Sequence, residues 1–270
     1  MRTNLAKALR IKPGQRVRLN RWKTDAPDGF MKERTRTRTE RVVSELPAWQ
    51  YKLYIENRRA LLIVLQAMDA GGKDGVIRRV MAALNPQGCR VTSFKAPSPL
   101  ELSHDYLWRV HAAVPARGEI GIFNRSHYED VLIVRVKNLV PKRVWLRRYD
   151  QINDFERMLV ENDVTILKFF LHISKDEQRE RLQARLDDPT KHWKADVADA
   201  EERKLWDDYQ RAYEAALERC STPWAPWHVV PADRKWYRDY AVSEIILEKL
   251  REMNPQFPPP KEHLRRIVIV

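Results

Sequence analysis

The chain alternates short apolar runs with longer stretches in which apolar residues recur at helical spacing. The runs are "ALLIVLQ" (60–66), "RVTSF" (90–94), "EIGIFN" (119–124), "TILKFFLHI" (165–173) and "WHVVPA" (227–232). Each is short and bounded by turn residues, which predicts strands. Residues 73–84, 99–111, 141–162, 175–186, 200–219 and 234–252 predict helices, the first stopped by "NPQG" and the fourth by "DDP". Strands separated by helices run parallel with crossover connections, so the expected fold class is α/β, a parallel sheet flanked by helices. Residues 1–40 read as a basic N-terminal arm, 41–253 as one domain and the proline-rich 254–270 as a tail, with no internal repeat.

Composition adds a partner class. A length of 270 residues suffices for a full core. Fifty Lys and Arg against 37 Asp and Glu leave a formal net charge of +13. That excess argues for a polyanion such as nucleic acid, nucleotide or an acidic polymer, or for an anionic membrane surface; a solvated basic surface is the plainer reading. The longest apolar stretch, "ALLIVLQAM", is too short to span a bilayer. Cys89 and Cys220 are far apart and form no ligand spacing, so zinc is not indicated and a reduced, cytoplasmic setting is expected. Residues 1–24 carry basic side chains and no acid, without the apolar core of a secretory signal.

Three segments carry candidate chemistry. After the first strand comes "AMDAGGKDG", residues 67–75, opening a helix near Lys73. Backbone N–H groups of such a turn and the helix N-terminus point at one anion, and a lysine adds a full charge. Ala70, Gly71, Gly72, Lys73, Asp74 and Gly75 therefore form the candidate phosphate loop. It departs from G-x-x-x-x-G-K-[ST] twice, with Ala67 for the first glycine and Asp74 for the hydroxyl residue. A bare carboxylate about 4 Å from a phosphate charge repels it by roughly 4 kcal/mol at an effective dielectric near 20. Asp69 and Asp74 thus imply a bridging divalent cation, Mg2+ by its taste for few carboxylates and several waters. Asp74 equally suits a helix N-terminus as a dipole-complementing acid.

The second segment is "FNRSHYEDVL", residues 123–132, leaving a strand end where doubly wound folds place active groups. Asn124, Arg125, Glu129 and Asp130 are its candidates. Ser126 as an N-cap with two acids in the first turn is the structural alternative. His127 is left aside as a packing residue. The third is "RERLQARLDDPTKHWKADVADAEERK", residues 179–204: an arginine-rich helix broken at Asp187-Asp188-Pro189, continuing through Lys191, Trp193 and Lys194. A broken basic segment suits a lid over phosphates, expected over about 181–205, or else a solvated helix face.

Taken together, "QAMDAGGKDG", "FNRSHYEDVLIVRVKNLVP", "FFLHISKDEQRERL" and "LDDPTKHWK" closely resemble the family 2 polyphosphate kinases, over roughly residues 45–250. The resemblance implies a P-loop kinase fold related to thymidylate kinase, with a helical lid. It also implies phosphoryl transfer between inorganic polyphosphate and nucleotides with Mg2+. The "FNRSHYED" form resembles the branch that phosphorylates both nucleoside mono- and diphosphates, AMP and ADP. Many members have Asp where this chain has Asn124, which argues against direct metal ligation there. By resemblance Asp69 is the metal-linked acid, Lys73 the phosphate lysine, Arg125 a phosphate clamp, Arg185 and Lys194 lid cations, and Glu129 and Asp130 nucleotide- or metal-site residues. A homo-oligomer, for instance a tetramer, is implied in the same way.

A polymer of phosphates accounts for the charge, since a basic channel binds it with counterion release; Arg78, Arg79, Arg90 and Lys95 are candidate lining residues. No nucleic acid or membrane partner is then needed. The rival readings are an ATP-dependent nucleoside monophosphate kinase, which would more naturally carry Ser or Thr at position 74, and a nonenzymatic P-loop protein binding RNA through the arm. The arm has only Trp22 for base stacking, which disfavours the latter.

Overall fold

The computed structural model describes residues 4–194 and 197–260. The helices in chain order are α1 (Leu5–Leu9), α2 (Lys32–Glu56), α3 (Lys73–Val80), α4 (Pro99–Leu102), α5 (Trp108–His111) and α6 (Ile133–Val136). They continue with α7 (Lys142–Glu161), α8 (Lys175–Leu186), α9 (Val197–Lys204), α10 (Trp206–Arg219) and α11 (Lys235–Met253). Five strands, β1 (Ala60–Ala67), β2 (Cys89–Ser93), β3 (Ile120–Asn124), β4 (Val164–His172) and β5 (Trp227–Pro231), form one sheet in the order β2-β3-β1-β4-β5. Every pairing is parallel. The expected α/β class and all five strands are present.

β1 lies at the centre because its run Leu61 to Leu65 is wholly apolar: all eight residues of the strand are buried, and Leu61 to Leu65 have no exposed surface. It pairs with β3 from Leu61↔Ile120 to Leu65↔Asn124, and with β4 from Ala60↔Val164 to Ala67↔Leu171. The chain leaves β1 toward β2 on one side, whereas β4 leads to β5 on the other. Such a divergence opens a crevice at the carboxyl ends of the strands, where the loop after β1 emerges.

Three elements differ from the expectation. Residues 99–111 are not one helix but α4 and α5, because Ser103 Oγ donates to the Leu100 carbonyl (2.7 Å) and Asp105 Oδ1 accepts from Leu107 N–H (2.9 Å). Those local side-chain bonds compete with the helical ladder. The 200–219 helix is likewise divided, with α9 ending at Lys204 and α10 starting at Trp206. The 40/41 boundary falls inside α2, a 25-residue helix that contains Pro47.

The basic arm is packed onto the domain. Leu5, Leu9, Ile11, Val17 and Leu19 are buried, Ile11 N–H donates to the Trp227 carbonyl (2.9 Å), and Ser221 Oγ donates to the Ile11 carbonyl (2.7 Å). This segment thereby covers the open edge of β5, whose unpaired backbone groups would otherwise face water. Of the proline-rich tail, residues 261–270 lie outside the described residues.

One polar cluster sits inside the core. Lys168 of β4 and Glu156 of α7 are both fully buried, with Nζ to Oε2 at 2.5 Å. Lys168 Nζ also donates to Tyr128 Oη (2.8 Å) and the Cys220 carbonyl (2.7 Å), while Tyr128 Oη donates to Glu156 Oε1 (2.8 Å). His127 Nε2 lies 3.2 Å from Glu156 Oε1. Two residues of the "RSHYED" segment are therefore bolted to β4 and α7, which fixes where its neighbour Arg125 leaves β3.

Candidate phosphate-transfer site

The loop after β1 is shaped by backbone conformation before any side chain acts. Ala70 and Gly72 adopt left-handed φ values of +59° and +98°, and Gly71 N–H closes a tight turn on the Met68 carbonyl (2.9 Å). Gly71 has no room for a side chain: a Cβ would lie 2.4 Å from that of Ala67. The turn delivers the chain into α3 at Lys73 with Gly72 as its N-cap, so unpaired N–H groups and the helix dipole face the crevice. That is the anion cradle expected from the sequence.

Lys73 folds back beneath the loop, Nζ donating to the Ala67 carbonyl (3.2 Å). Burial, reinforced by Arg125, pulls its ammonium below the usual lysine value, against the opposing pull of Asp69, Glu129 and Asp74. Arg125 enters from the end of β3 with a left-handed φ of +64°, a conformation that costs a non-glycine residue about 1 kcal/mol. It is held by its N–H on the Leu65 carbonyl (3.1 Å), and its Nη2 donates to Asp69 Oδ1 (3.1 Å).

Asp74 is held from two sides. Its Oδ1 accepts from Asn124 Nδ2 (2.9 Å) and its Oδ2 from Lys194 Nζ (3.2 Å). Burial opposes ionisation, but these two bonds win and hold the carboxyl below the usual aspartate range. Position 74 therefore joins β3, the loop and the basic segment after α8. Arg185, in the last turn of α8, pairs with Asp199 Oδ2 (3.2 Å).

Asp69, Lys73, Asp74, Asn124, Arg125, Arg185 and Lys194 line one cavity of about 930 Å³, together with Ala70, Gly71, Gly72 and Gly75. Its wall carries eleven basic side chains against five acidic ones, so the space is suited to a multiply charged anion. Of the candidate channel residues, Arg78, Arg79 and Lys95 line it and Arg90 does not.

Glu129 and Asp130 do not line the cavity. Glu129 stands behind the loop, where burial raises its carboxyl above the usual range against the pull of Arg125 and Lys73. With the Gln66 amide oriented to satisfy both ends, Gln66 donates to Glu129 Oε1 (3.1 Å) and accepts from Ser126 (3.0 Å). Asp130 turns away, its Oδ1 2.8 Å from Arg148 Nη1, and burial pushes its carboxyl up to about 6. Ser126 caps the turn through Tyr128 N–H (3.2 Å), as its place in the sequence suggested.

Two residues that sequence reasoning did not single out lean on the loop. Arg181 of α8 donates Nη1 to the Ala70 carbonyl (2.9 Å), Nη2 to the Ala232 carbonyl (2.6 Å) and Nε to Glu177 Oε1 (2.7 Å), clamping the loop to the end of β5. Arg238 of α11 packs directly on Gly72 and Gly75. Arg181 sits in the quoted "RERL" run, but nothing in "KWYRDY" sets Arg238 apart from an ordinary helix-surface arginine.

The family model described as Polyphosphate kinase 2 (PPK2) matches residues 29–258. An AMP/ADP-polyphosphate phosphotransferase of Meiothermus ruber is 53% identical over 265 residues, covering 97% of this chain and 99% of that protein. An ADP-polyphosphate phosphotransferase of Rhodopseudomonas palustris is 47% identical, covering 93% and 92% respectively. The crystal structure of polyphosphate kinase 2 from Arthrobacter aurescens TC1 superposes with a TM-score of 0.92 at 43% identity, over 97% of this chain and 95% of that one. With its parallel sheet, its phosphate-type loop and these relatives along almost its whole length, the chain belongs to the polyphosphate kinase 2 family.

Proposed function

We propose that this protein transfers a phosphoryl group from inorganic polyphosphate to AMP and ADP, with Mg2+ as the metal. The observation that carries the reading is the convergence of the loop, Lys73, Arg125 and Lys194 on one cavity whose wall is predominantly basic. A second cavity of about 910 Å³ shares Arg79, Glu177 and Lys235 with the first, so a long donor has room to continue beyond the loop. The names of the relatives, which specify polyphosphate with AMP or ADP, support the choice of donor and acceptor.

The terminal phosphoryl of the donor is held by the loop amides and Lys73, with Arg125 and Lys194 on its flanks. The acceptor oxygen already carries charge and needs little help from a general base. Catalysis is then alignment for in-line attack plus neutralisation of the transferring group, with no covalent phosphoenzyme.

The residues present fit a magnesium ion. Among the described residues no group of three or more His, Cys, Asp or Glu could enclose a metal. Magnesium in phosphoryl transfer takes one or two carboxylates and completes its shell with water and phosphate. Asp69 and Asp74, which line the cavity at either end of the loop, would hold it. When bound it neutralises phosphate oxygens that these carboxylates would otherwise repel. Asn124, already donating to Asp74, orients that carboxylate and is not a ligand in this reading.

Cytoplasmic residence and a homo-oligomeric assembly belong to the same proposal, supported by two free cysteines and by the resemblance respectively. No helix among the described residues is long and apolar enough to cross a membrane. The function is tested by incubating the protein with Mg2+, AMP or ADP, and either polyphosphate or ATP as donor. Transfer from polyphosphate supports the reading; transfer from ATP alone overturns it.

A further inference from the structure

We propose that Arg238 of α11 is a phosphate-binding residue of the donor site, and that Gly72 and Gly75 are glycines in order to admit it. Its Nη1 stands 1.9 Å from where a Cβ on Gly72 would lie, and Nη2 stands 2.9 Å from the corresponding point on Gly75. Any side chain at position 72 displaces the guanidinium, and one at position 75 presses on it. Gly72 has a second reason in its φ of +98°, but Gly75 has none: it lies inside α3 with ordinary helical backbone, where alanine is the better helix former.

The Arg238 side chain is only 3% exposed yet lines the phosphate cavity. Its Nε and Nη2 both donate to Asp239 Oδ1 (2.9 and 2.6 Å), which fixes the plane of the fork. Among the described residues Nη1, the atom against Gly72, has no acceptor. Arg181 makes the contrast. It too approaches Gly72, at 3.6 Å from the same Cβ point, but all three of its nitrogens are used on Glu177 and backbone carbonyls. One arginine is a clamp; the other has one arm of its fork left over at the cradle. That free arm opens onto the cavity, where a phosphate oxygen in the cradle can take it with the geometry that guanidinium favours.

This inference rests on the loop being the donor site. The experiment measures initial rates with polyphosphate varied at saturating AMP and the reverse, for Arg238→Met, Arg238→Lys, Gly75→Ala, Lys73→Ala and the double variant Gly75→Ala/Arg238→Met. Thermal melts monitor folding of each. Loss of one charge-assisted bond predicts a rise in donor KM of about tenfold or more in both Arg238 variants, with acceptor KM moving less than about twofold. Gly75→Ala raises donor KM by pushing the guanidinium aside, and adds nothing once Arg238 is already Met. Folded Arg238→Met with the wild-type donor KM, or with donor and acceptor KM rising together, overturns the proposal. Should Arg238→Met fail to fold, Gly75→Ala decides: a wild-type donor KM in that variant overturns it equally. Unimpaired donor use in Lys73→Ala would instead remove the loop itself from the donor site, a different failure with a different signature.

Discussion

Glu156→Gln removes the counterion of a lysine that has no route to water. Lys168 and Glu156 are each fully buried with Nζ and Oε2 2.5 Å apart, and the carboxylate also receives Tyr128 Oη at 2.8 Å. Breaking a buried pair while leaving one charge in place costs about 3–5 kcal/mol. For a urea dependence of about 3 kcal/mol/M, the upper value for small proteins, the unfolding midpoint falls by about 1–2 M. The pH dependence has a definite sign. Burial opposes ionisation of Glu156, but Lys168 and His127 outweigh it and hold the carboxyl below its ordinary 4.5. A depressed carboxylate contributes its stability in full above the unfolded value and loses it as pH falls through the folded one. The contribution of Glu156 to the gap between wild type and Glu156→Gln is therefore present in full above about pH 5 and is lost only below about 4.5. Urea titrations across this range measure it. The double variant Lys168→Met/Glu156→Leu should recover much of the loss, since apolar replacements remove both desolvation costs. A midpoint shift under about 0.3 M in Glu156→Gln, or a gap that closes above pH 6, would refute the reasoning.

Other outcomes follow from the site. Lys73→Ala and Asp69→Ala each abolish phosphoryl transfer while melting near wild type, because both act on bound phosphate and neither supports the core; near-wild-type turnover in either removes the loop from the mechanism. Given AMP and long polyphosphate, the purified protein makes ADP and then ATP without added adenylate kinase, and exclusive use of ADP would confine it to a single acceptor. Raising monovalent salt at fixed free Mg2+ weakens binding of long polyphosphate more steeply than binding of AMP. Neutralising both Arg78 and Arg79 flattens the donor slope by roughly one to two on a log–log plot. Equal slopes for donor and acceptor would mean that the +13 charge serves another partner.

The strands were legible because burial on both faces makes β1 and β4 mostly apolar, interrupted by Gln66 in the first and by Thr165, Lys168 and His172 in the second, and the loop because glycines, a lysine and an acid cannot follow such a run without exposing charge to a crevice. α2 was not legible. Its buried residues are Thr35, Val42, Leu46, Gln50 and Leu53, so the inward stripe is two-fifths polar, and Pro47 reads as a stop. The stripe works because Gln50 bonds both backbone groups of Asn85 (2.7 and 2.8 Å), a partner no periodicity reveals. The N-terminal segment reads as a basic arm because its charges are local, whereas the Ile11, Val17 and Leu19 that anchor it are isolated apolar residues whose backbone partners, His172, Glu214, Glu218 and Ser221, lie far along the chain. Asp130 was legible as an acid but not as the partner of Arg148, and Arg238 reaches the loop from a helix far downstream. Sequence spacing identifies what a loop offers; only packing identifies what leans on it.

The most direct measurement of the central claim is nucleotide analysis of a reaction containing this protein, Mg2+, AMP and polyphosphate, with no nucleoside triphosphate present, run beside Lys73→Ala. The account predicts ADP and then ATP from the wild-type protein, with the polymer shortened by one phosphate for each transfer, and neither nucleotide from Lys73→Ala. Unchanged AMP under these conditions, together with ADP formation when ATP replaces polyphosphate, would contradict it.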